Sequence, residues 1–354
     1  MREPLSIPEE DLRACLREEY DLAAVTLEFL PLGLDTRASL YRVVSERGTP
    51  YLLKVKTGSF YEAGARVPRY LADEGIAAVV APQPTMGGAL WTHLPGRENW
   101  VAMLYPFIEG DRGWNPAMTD EQWQATGAAL RQIHQVALPP GGFASLRREA
   151  FDAAEYRRSA QAIEAELARV EGGSGSQIEQ TLSAGWRQHQ PAIHAMLAVL
   201  EGLAGPLRDG SEPYVICHAD LHPSNIIRDP AGGVHIIDWD DVMLAPKERD
   251  FLFTGDPAPA DGVAGDGPSP FFQGYGPDEI DWVAIAYYRY ERIVQDVIVC
   301  AQEVLFRDDL GEETKAEQAR LFDVVLTSGN MIEPARRAAA HLPTGLGSFG
   351  ILEP

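Results

Sequence analysis

One segment, residues 214–250, constrains this chain more than any other. It reads Y-V-I-C-H-A-D-L-H-P-S-N-I-I-R-D-P-A-G-G-V-H-I-I-D-W-D-D-V-M-L-A-P-K-E-R-D. Two short, mainly apolar runs at 226–228 and 234–237 flank the turn-forming run D-P-A-G-G at 229–233. Apolar runs separated by residues of this kind are typical of two strands joined by a tight turn. The segment therefore predicts an antiparallel hairpin.

The open end of this hairpin brings oxygen-bearing side chains together. If the chain folds back between Ala231 and Gly232, Asn225 and Asp238 are equidistant from the turn and emerge side by side. Mg²⁺ requires oxygen ligands and usually takes one or two from a protein, leaving the rest to phosphates and water. The pair is therefore sufficient for a magnesium site. Asp220, on the loop that leads into the hairpin, is placed to reach a substrate hydroxyl beside the metal.

The same residues resemble a known motif. His218-Ala219-Asp220 with Asn225 resembles the H-x-D-x-x-x-x-N catalytic loop of the kinase fold, and Asp238 takes the place of the metal-binding Asp of D-F-G. The runs H-A-D-L-H-P-S-N and I-I-D-W-D-D-V-M-L-A-P-K-E-R-D are similar to the aminoglycoside phosphotransferase family, and within it to the spectinomycin phosphotransferases. The resemblance implies an α+β, bilobal protein-kinase-like fold, with a small antiparallel β-sheet in the N-lobe and a mainly α-helical C-lobe. It also implies ATP and Mg²⁺ as cofactors, Asp220 as catalytic base, and Asn225 and Asp238 as metal ligands.

The residues around the motif indicate which class of kinase is expected. The resemblance implies that His218 holds the loop through backbone hydrogen bonds, and His222 is interpreted as an ordinary polar residue. Only eleven residues separate Asp238 from Asp250, too few for the activation segment of protein kinases. A regulated protein substrate is therefore not expected. Arg249 and Asp250 form either a buried pair that braces the loop or a surface salt bridge.

The chain length predicts the domain organisation. A chain of 354 residues exceeds the usual size of a single hydrophobic core, so two lobes around a cleft are expected. We expect a nucleotide-binding lobe at 1–105, a hinge at 106–115, and a helical lobe with the catalytic and substrate-binding residues at 116–354.

The cysteines and the N-terminus indicate a cellular compartment. Cys15, Cys217 and Cys300 are far apart and form no C-x-x-C pair, which argues against a disulfide framework and a zinc site. No signal-peptide pattern is visible, and no apolar run approaches bilayer length. We therefore expect a cytoplasmic protein with no membrane partner. Cys217 is interpreted as a small buried hydrophobe on the strand before the motif.

The charge favours a cationic partner. The formal net charge of −22 repels the phosphates of nucleic acids and anionic membranes, and it attracts cations. We expect a cationic small-molecule substrate and no nucleic-acid partner. Acidity that serves solubility alone is the alternative, and both a monomer and a homodimer are compatible with the sequence.

Three strand-like blocks near the N-terminus predict a small antiparallel sheet: V-T-L-E-F-L at 25–30, S-L-Y-R-V-V at 39–44 and P-Y-L-L-K-V at 50–55. Lys54 has neighbours of the buried type, so its charge needs an anionic partner to offset desolvation. The run Y-L-L-K-V resembles the kinase strand whose lysine pairs the α and β phosphates, which implies that role for Lys54. Lys56 is two residues further along and therefore lies on the same face of the strand, so it is the alternative for this role.

The turn at 32–39 lies where the kinase fold covers the phosphates. It contains one glycine and departs from the G-x-G-x-x-G pattern. Backbone amides near Thr36 and the hydroxyl of Ser39 are the predicted phosphate contacts.

A helix is predicted from Ser59 to about Glu74, and its Glu62 has two interpretations. As the third residue after a Ser cap, Glu62 completes a capping box. As the first acidic residue of the helix, it forms the ion pair with Lys54 that the kinase fold requires. The sequence favours neither interpretation.

The strand-like run at 100–105 leads into P-F-I-E-G, which resembles the hinge between kinase lobes. Adenine needs one acceptor for its amino group and one donor for a ring nitrogen. The Pro106 carbonyl and the Ile108 amide are therefore the predicted adenine contacts. An ordinary strand-to-helix connector is the alternative.

The remaining chain is predicted to be mainly helical. Thr119 and Gln122 form a capping box at the start of a helix that runs through Gln135. Further helices are predicted at 150–170, 176–204 and 278–306, and an irregular loop at 254–276.

Several residues are candidate contacts for a cationic substrate. Asp240 and Asp241 are either solvated turn carboxylates or contacts to a substrate amine. In the resembling family, the region of the last predicted helix lines the aminoglycoside pocket, which implies contacts from Tyr287, Glu291 and Asp296.

The leading interpretation is ATP-dependent phosphorylation of a hydroxyl on a cationic aminocyclitol or aminoglycoside antibiotic, spectinomycin being the best family match. A kinase for choline, homoserine, a sugar or a macrolide is the first alternative. A nucleotide-binding pseudokinase is the second, and the intact Lys54, Asp220, Asn225 and Asp238 count against it.

Overall fold

The protein is described by a computed structural model over residues 6–33, 37–210, 213–255, 269–327, 329–343 and 346. It divides into two compact units. The first contains Met1–Arg148 and Tyr214–Pro277, and the second contains Glu149–Pro213 and Asp278–Pro354. The predicted lobe boundaries, after residues 105 and 115, do not coincide with this division and stay a prediction.

The first unit contains a five-stranded antiparallel sheet in the order β1-β2-β3-β5-β4. Its first three strands confirm the three predicted blocks, and β5 confirms the strand-like run before the predicted hinge. The strands are β1 (Ala24–Leu30), β2 (Ala38–Ser45), β3 (Pro50–Thr57), β4 (Thr92–Leu94) and β5 (Arg97–Pro106).

The two faces of this sheet have different roles. On β3, Leu53 and Val55 are fully buried in a cluster with apolar residues of α1 (Glu9–Tyr20), a helix not predicted from the sequence. Successive side chains of a strand point to opposite faces. Lys54 and Lys56 therefore lie on the face away from α1.

Helix α2 (Ala63–Asp73) packs on that second face and begins four residues later than predicted. Its Ala65 is buried against β5 in a cluster that also contains Phe60. The Phe60 ring contacts Trp91 with a centroid distance of 4.9 Å. This packing holds the chain before α2 outside the helix, so Ser59 is not its N-cap.

The H-A-D-L-H-P-S-N motif lies among short elements of the same unit. Strand β7, which precedes the motif, pairs with β10, and β10 also pairs with β6. Cys217 on β7 is fully buried, as predicted. Helix α3 begins with the predicted capping box between Thr119 and Gln122. The elements are α3 (Asp120–Gln135), β6 (Arg147–Arg148), β7 (Val215–Cys217), β8 (Ile226–Arg228), β9 (Val234–Ile236) and β10 (Met243–Ala245).

Strands β8 and β9 form the predicted hairpin. Ile226 lies opposite Ile236, so the fold-back is centred on Ala231, half a residue earlier than predicted. The Asp229 carboxylate stabilises this turn because it accepts hydrogen bonds from the backbone amides of Ala231 and Gly233, both at 2.8 Å. This local side-chain bond sets the register of the hairpin.

Helix α6 (Pro270–Tyr275) lies within the predicted irregular loop, so the loop prediction is wrong for this part. Residues 256–268 of that loop lie outside the described residues. The helix forms because Phe271, Phe272 and Tyr275 are buried. Burial of three aromatic rings outweighs the weak local helix preference of the surrounding Gly-rich and Pro-rich sequence.

The second unit is formed by helices. Helices α4, α5 and α7 confirm the three predicted helices, with small shifts of their ends, whereas α8 and α9 were not predicted. Among the described residues, no helix, including the 33-residue α5, is both long and apolar enough for a membrane crossing. The helices are α4 (Ala153–Arg169), α5 (Gln177–Asp209), α7 (Trp282–Phe306), α8 (Glu312–Thr327) and α9 (Gly329–Ala340).

Two glycines allow α3 and α6 to pack backbone against backbone. A Cβ atom at Gly127 would lie 2.1 Å from the carbonyl oxygen of Phe271, and a Cβ atom at Gly274 would lie 1.9 Å from that of Gln124. Neither position has room for a methyl group. The close contact of the two helices therefore requires glycine at both positions.

We predict that Gly127→Ala lowers the free energy of unfolding by about 1–3 kcal/mol, because overpacking forces the two backbones apart. Thermal and urea unfolding measure the change. Gly205→Ala in α5 is the matched control, since a Cβ atom there meets no described atom within 4 Å, and alanine favours the helix. Equal unfolding midpoints for Gly127→Ala and the wild type would contradict the packing argument.

Candidate active site

The open end of the hairpin places Asn225 and Asp238 close together along the backbone. The Ile237 amide donates a hydrogen bond to the Asn225 carbonyl at 3.0 Å, and Asp238 is the next residue after Ile237. Asp238 has a φ of +63°, a left-handed conformation that Asp adopts more readily than most residues. Such conformations cluster at functional sites.

Asp220 and Asn225 are in direct contact. The side-chain nitrogen of Asn225 donates to the Asp220 carbonyl at 2.9 Å and to the Asp220 carboxylate at 3.3 Å. Because the amide nitrogen is committed to Asp220, the amide oxygen is the atom that can bind a metal. The contact also orients the carboxylate of Asp220.

A buried carboxylate braces the loop that carries Asp220. Asp250 accepts hydrogen bonds from the backbone amides of His218 at 2.8 Å and Ala219 at 2.6 Å, and it is 1 % exposed. Ala219 has a φ of +69°, and the His218 ring bonds to the Ile237 carbonyl at 2.9 Å. These contacts confirm the predicted structural role of His218. They also show that Asp250 braces the loop through backbone amides.

The brace extends to two helices of the same unit. One ring nitrogen of His134 on α3 contacts Asp250 at 3.0 Å, and the other contacts the hydroxyl of Tyr275 on α6 at 2.8 Å. His134 is 116 residues away from Asp250. No local sequence pattern could have identified this network, because its members meet only in the folded chain.

Lys54 is paired with two carboxylates. Its ammonium group lies 2.8 Å from Asp238 and 2.8 Å from Asp240. Burial by itself lowers the pKa of Lys54, but the charges of Asp238 and Asp240 outweigh burial and hold this pKa well above its ordinary value. Lys54 therefore carries its charge beside the predicted metal ligand.

Asp240 is enclosed by two lysines. The Asp240 oxygen that contacts Lys54 also lies 2.6 Å from the ammonium group of Lys56. Burial raises the pKa of Asp240, yet Lys54 and Lys56 together hold it well below its usual range. The Asp240 carboxylate is therefore not a solvated turn group, because it is paired with two lysines. Its contact with a substrate amine stays a prediction.

Both interpretations of Glu62 from the sequence are wrong. It is the N-cap residue of α2, and its side chain makes no cap hydrogen bond. Its carboxylate instead pairs with Arg66 at 3.1 Å, with both side chains about half exposed. In the structure the carboxylate partners of Lys54 are Asp238 and Asp240, so the predicted pair of Lys54 with Glu62 is wrong.

The predicted phosphate contact through the Ser39 hydroxyl is also wrong. Ser39 lies opposite Val55 in the sheet, so its side chain is on the face that packs on α1, whereas Lys54 is on the other face. Ser39 is 1 % exposed, and its hydroxyl is hydrogen-bonded with Tyr41. Thr36, whose backbone was the other predicted contact, lies outside the described residues.

The predicted hinge follows the end of β5. Pro106 and Ile108 are partly exposed, and their contacts with adenine stay predictions. The next residues bind directly to the hairpin, since the backbones of Asp111 and Arg228 exchange hydrogen bonds at 3.0 and 2.8 Å. A Cβ atom at Gly110 would lie 2.3 Å from the Arg228 carbonyl oxygen. Gly110 is therefore the residue in the sequence that indicates this close contact between the chain after β5 and the hairpin.

Arg147, a residue that the sequence analysis did not select, holds the acidic segment after Asp238. Its guanidinium donates to the Asp240 carbonyl at 3.0 Å and to the Asp241 carboxylate at 3.3 Å. Its backbone amide donates to the Tyr61 hydroxyl at 2.9 Å, and this hydroxyl donates to the Val242 carbonyl at 2.8 Å. Asp241 keeps an exposed carboxylate, so its contact with a substrate amine stays a prediction.

His222 and Arg112 also lie beside predicted site residues. One ring nitrogen of His222 accepts the Ser224 amide at 3.2 Å, and the other lies 3.5 Å from the Asp220 carboxylate. Burial lowers the pKa of Arg112, and the charge of Asp238 opposes this shift. The sequence analysis interpreted His222 as an ordinary polar residue and missed its position beside Asp220. Arg112 lies in no motif that could have identified it.

The three substrate contacts predicted on α7 belong to the second unit. Tyr287 is fully buried against Phe151, with the ring centroids 5.1 Å apart. Glu291 is 5 % exposed, and Asp296 pairs with Arg292 at 3.0 Å. The contacts of Tyr287 and Asp296 lie within the second unit, and the role of all three residues toward a substrate stays a prediction.

The side chains at the hairpin fit a magnesium ion. Asp238 offers a carboxylate, and Asn225 offers an amide oxygen because its nitrogen is bound to Asp220. Hard oxygen donors of this kind, one or two in number, are what Mg²⁺ takes from a protein when phosphates supply the rest.

Comparisons with known proteins agree with this geometry. A model of the phosphotransferase enzyme family matches residues 28–284. The chain is similar to spectinomycin phosphotransferase APH(9)-Ia in complex with ADP and spectinomycin, with 28% identity, a TM-score of 0.81, and coverage of 94% of this chain and 99% of that chain. The AMP-bound complex of that enzyme gives 27% identity, a TM-score of 0.75, and coverage of 92% and 97%.

A more distant structure shows the fold alone. The amicoumacin kinase hAmiN in complex with AMP-PNP and Ca²⁺ is 19% identical, with a TM-score of 0.57 and coverage of 90% of this chain and 93% of that chain. None of the curated proteins matches the chain.

The fold and the site define a kinase-like phosphotransferase. The chain belongs to the phosphotransferase enzyme family, since the family model matches most of its length. It is a phosphotransferase with an alcohol group as acceptor, and the predicted α+β, protein-kinase-like fold class is confirmed.

We predict that Asp250→Ala lowers the free energy of unfolding by at least about 2 kcal/mol, because two backbone amides lose their acceptor in the interior. Chemical unfolding measures this change, and turnover is expected to fall with it as the loop loses its brace. Asp241→Ala is the control, since its carboxylate is exposed and should contribute little. If both variants unfold at the same denaturant concentration, Asp250 does not brace the loop.

Proposed function

We propose that this enzyme phosphorylates a hydroxyl of a cationic aminocyclitol or aminoglycoside antibiotic, spectinomycin, with ATP as phosphoryl donor. One observation carries the proposal: Lys54 of β3 lies 2.8 Å from Asp238 at the end of the hairpin, and Asp220 on the loop before the hairpin lies 3.3 Å from Asn225. The 28% identity over 94% of the chain to an enzyme solved with ADP and spectinomycin supports the choice of acceptor.

The nucleotide is bound by the sheet and the chain after β5. Lys54 holds the α and β phosphates, which is the role of the third-strand lysine in the kinase fold, and its ammonium group lies 2.8 Å from the proposed metal ligand Asp238. The Pro106 carbonyl accepts from the adenine amino group, and the Ile108 amide donates to a ring nitrogen. The two groups supply the acceptor and the donor that adenine requires.

Asn225 and Asp238 hold Mg²⁺ through their side-chain oxygens. A Mg²⁺ ion held by Asn225 and Asp238 would supply positive charge to offset the charge that develops on the phosphates. The Asp220 carbonyl accepts a hydrogen bond from the side-chain nitrogen of Asn225 and so holds the Asn225 side chain in this orientation.

Asp220 orients the acceptor hydroxyl and takes its proton. A bond forms between the acceptor oxygen and the γ-phosphorus, and the bond from the γ-phosphorus to the bridging oxygen of ADP breaks. The proton of the hydroxyl passes to the Asp220 carboxylate late in this step. Positioning and charge stabilisation supply most of the catalysis, because phosphoryl transfer has a largely loose transition state.

The acceptor is recognised by acidic side chains. A molecule with the net charge of −22 attracts a cationic substrate. Asp241, with its exposed carboxylate, is the proposed contact. A cytoplasmic location, where ATP is available, is part of this proposal, whereas nucleic acid and membrane partners are not.

We predict that Asp220→Ala lowers kcat at least about 100-fold, the lower range for loss of an acid–base group, and leaves the affinity for ATP within about twofold of the wild type. A coupled ADP-release assay with spectinomycin and an equilibrium ATP-binding titration measure the two effects. Asp73→Asn, at an exposed position on α2, is the control. A fully active Asp220→Ala enzyme would exclude this mechanism.

We also predict the acceptor and the metal requirement. ADP release should rise with spectinomycin and remain at the basal rate with choline, homoserine, sugars and macrolides. Addition of EDTA should abolish the rise, and excess Mg²⁺ should restore it. A strong response to choline alone would replace the antibiotic by a metabolite as substrate.

A further inference from the structure

We propose that Asp240 is the positioning residue that holds Lys54 toward the nucleotide phosphates, in place of a glutamate from helix α2. In the kinase fold this function belongs to a Lys–Glu ion pair between the third strand and the following helix. The inference rests on the proposed function, because it assumes that Lys54 binds phosphates.

The contacts of Lys54 identify its partner. The ammonium group lies 2.8 Å from Asp240, and the side chain of Lys54 is 11% exposed. The helix residue expected in this role, Glu62, is paired with Arg66 instead. Asp240 therefore supplies a carboxylate at the position where the strand lysine needs one.

The start of α2 explains why the helix does not supply the carboxylate. No acidic residue is present in its first turn, where Ala63, Gly64 and Ala65 are all buried. A Cβ atom at Gly64 would lie 3.1 Å from the Trp239 carbonyl oxygen and 3.4 Å from the Cα atom of Asp240. The helix thus packs directly on the segment that carries Asp240, and a long acidic side chain has no space at this contact.

Lys56 holds Asp240 in place from the second side. Its ammonium group lies 2.6 Å from the same carboxylate oxygen that contacts Lys54. Two like charges share one anion, so loss of Asp240 leaves the two ammonium groups to repel each other. This arrangement explains why a second lysine follows on the same strand face.

The backbone of Asp240 is fixed independently of its side chain. Arg147 donates to the Asp240 carbonyl at 3.0 Å, and Tyr61 donates to the Val242 carbonyl at 2.8 Å. A group that is locked by surrounding hydrogen bonds can position another without losing conformational freedom on ligand binding. The carboxylate is thus preorganised for Lys54.

Asp238 and Asp240 have different functions in this scheme. Both contact Lys54 at 2.8 Å, but Asp238 is the proposed metal ligand. Asp240 remains the anionic partner of Lys54 when the charge of Asp238 is engaged by a cation. The two carboxylates are therefore not interchangeable.

The test compares Asp240→Asn with Glu62→Gln, the matched change at the helix position that fills this role in the kinase fold. We expect Asp240→Asn to weaken ATP binding about 10-fold in EDTA, measured by equilibrium titration, and to lower kcat/KM for ATP about 10- to 100-fold. The KM for the acceptor should change by less than about twofold. Glu62→Gln should leave all three values within about twofold of the wild type.

A charge-balanced variant distinguishes the loss of Lys54 positioning from a loss of folding stability. Asp240→Asn combined with Lys56→Gln removes one charge of each sign, so the two ammonium groups no longer repel each other. We expect this double variant to unfold near the wild-type temperature and still to bind ATP about 10-fold more weakly. ATP affinity equal to the wild type in the folded double variant overturns the inference.

Two further outcomes distinguish this inference from the proposed function. A higher acceptor KM in Asp240→Asn, with unchanged ATP kinetics, overturns the positioning role and makes Asp240 a substrate contact. A larger loss in Glu62→Gln than in Asp240→Asn also overturns it. If the wild-type protein itself neither binds ATP nor releases ADP with any acceptor, the proposed function fails, and the positioning role fails with it.

Discussion

The candidate active site depends on the ion pairs between a largely buried strand lysine and the acidic segment that follows the hairpin. An ammonium group at the surface of the sheet loses hydration, and only closely placed carboxylates can offset that loss. Asp238 and Asp240 both contact Lys54 at 2.8 Å. The ion pair connects β3 to the end of the hairpin where the metal is proposed to bind, so the predicted nucleotide and metal ligands are positioned by one electrostatic cluster.

A second set of contacts orients the loop that carries Asp220. Asp250 accepts two backbone amides of the loop and is linked through His134 to α3 and α6. Asn225 is in turn bound to Asp220. Residues that position the proposed base are thus distributed over several elements, whereas the base itself lies on one short loop. Precise placement is what loose phosphoryl transfer requires of a protein.

Much of the local structure could be predicted from the sequence. The strands around Lys54, the capping box at Thr119 and the hairpin before Asp238 all follow from patterns within a few residues. The predictions for Glu62 and Ser39 were wrong for one reason. Each depended on how a strand or helix faces its neighbours, and the late start of α2 and the pairing of Ser39 with Val55 are decided by packing.

The sequence by itself determined the proposed chemistry of the site, because Asp220, Asn225 and Asp238 occur at the spacing of the kinase catalytic loop and its metal-binding Asp. It also determined the family, through the motifs that carry the resemblance. Tertiary structure alone decided which carboxylates pair with Lys54, since Asp240 is 186 residues away from it in the chain. Local patterns specify turns and strands through nearby bonds. A buried ion pair depends on desolvation and on distances that exist only after the chain has packed.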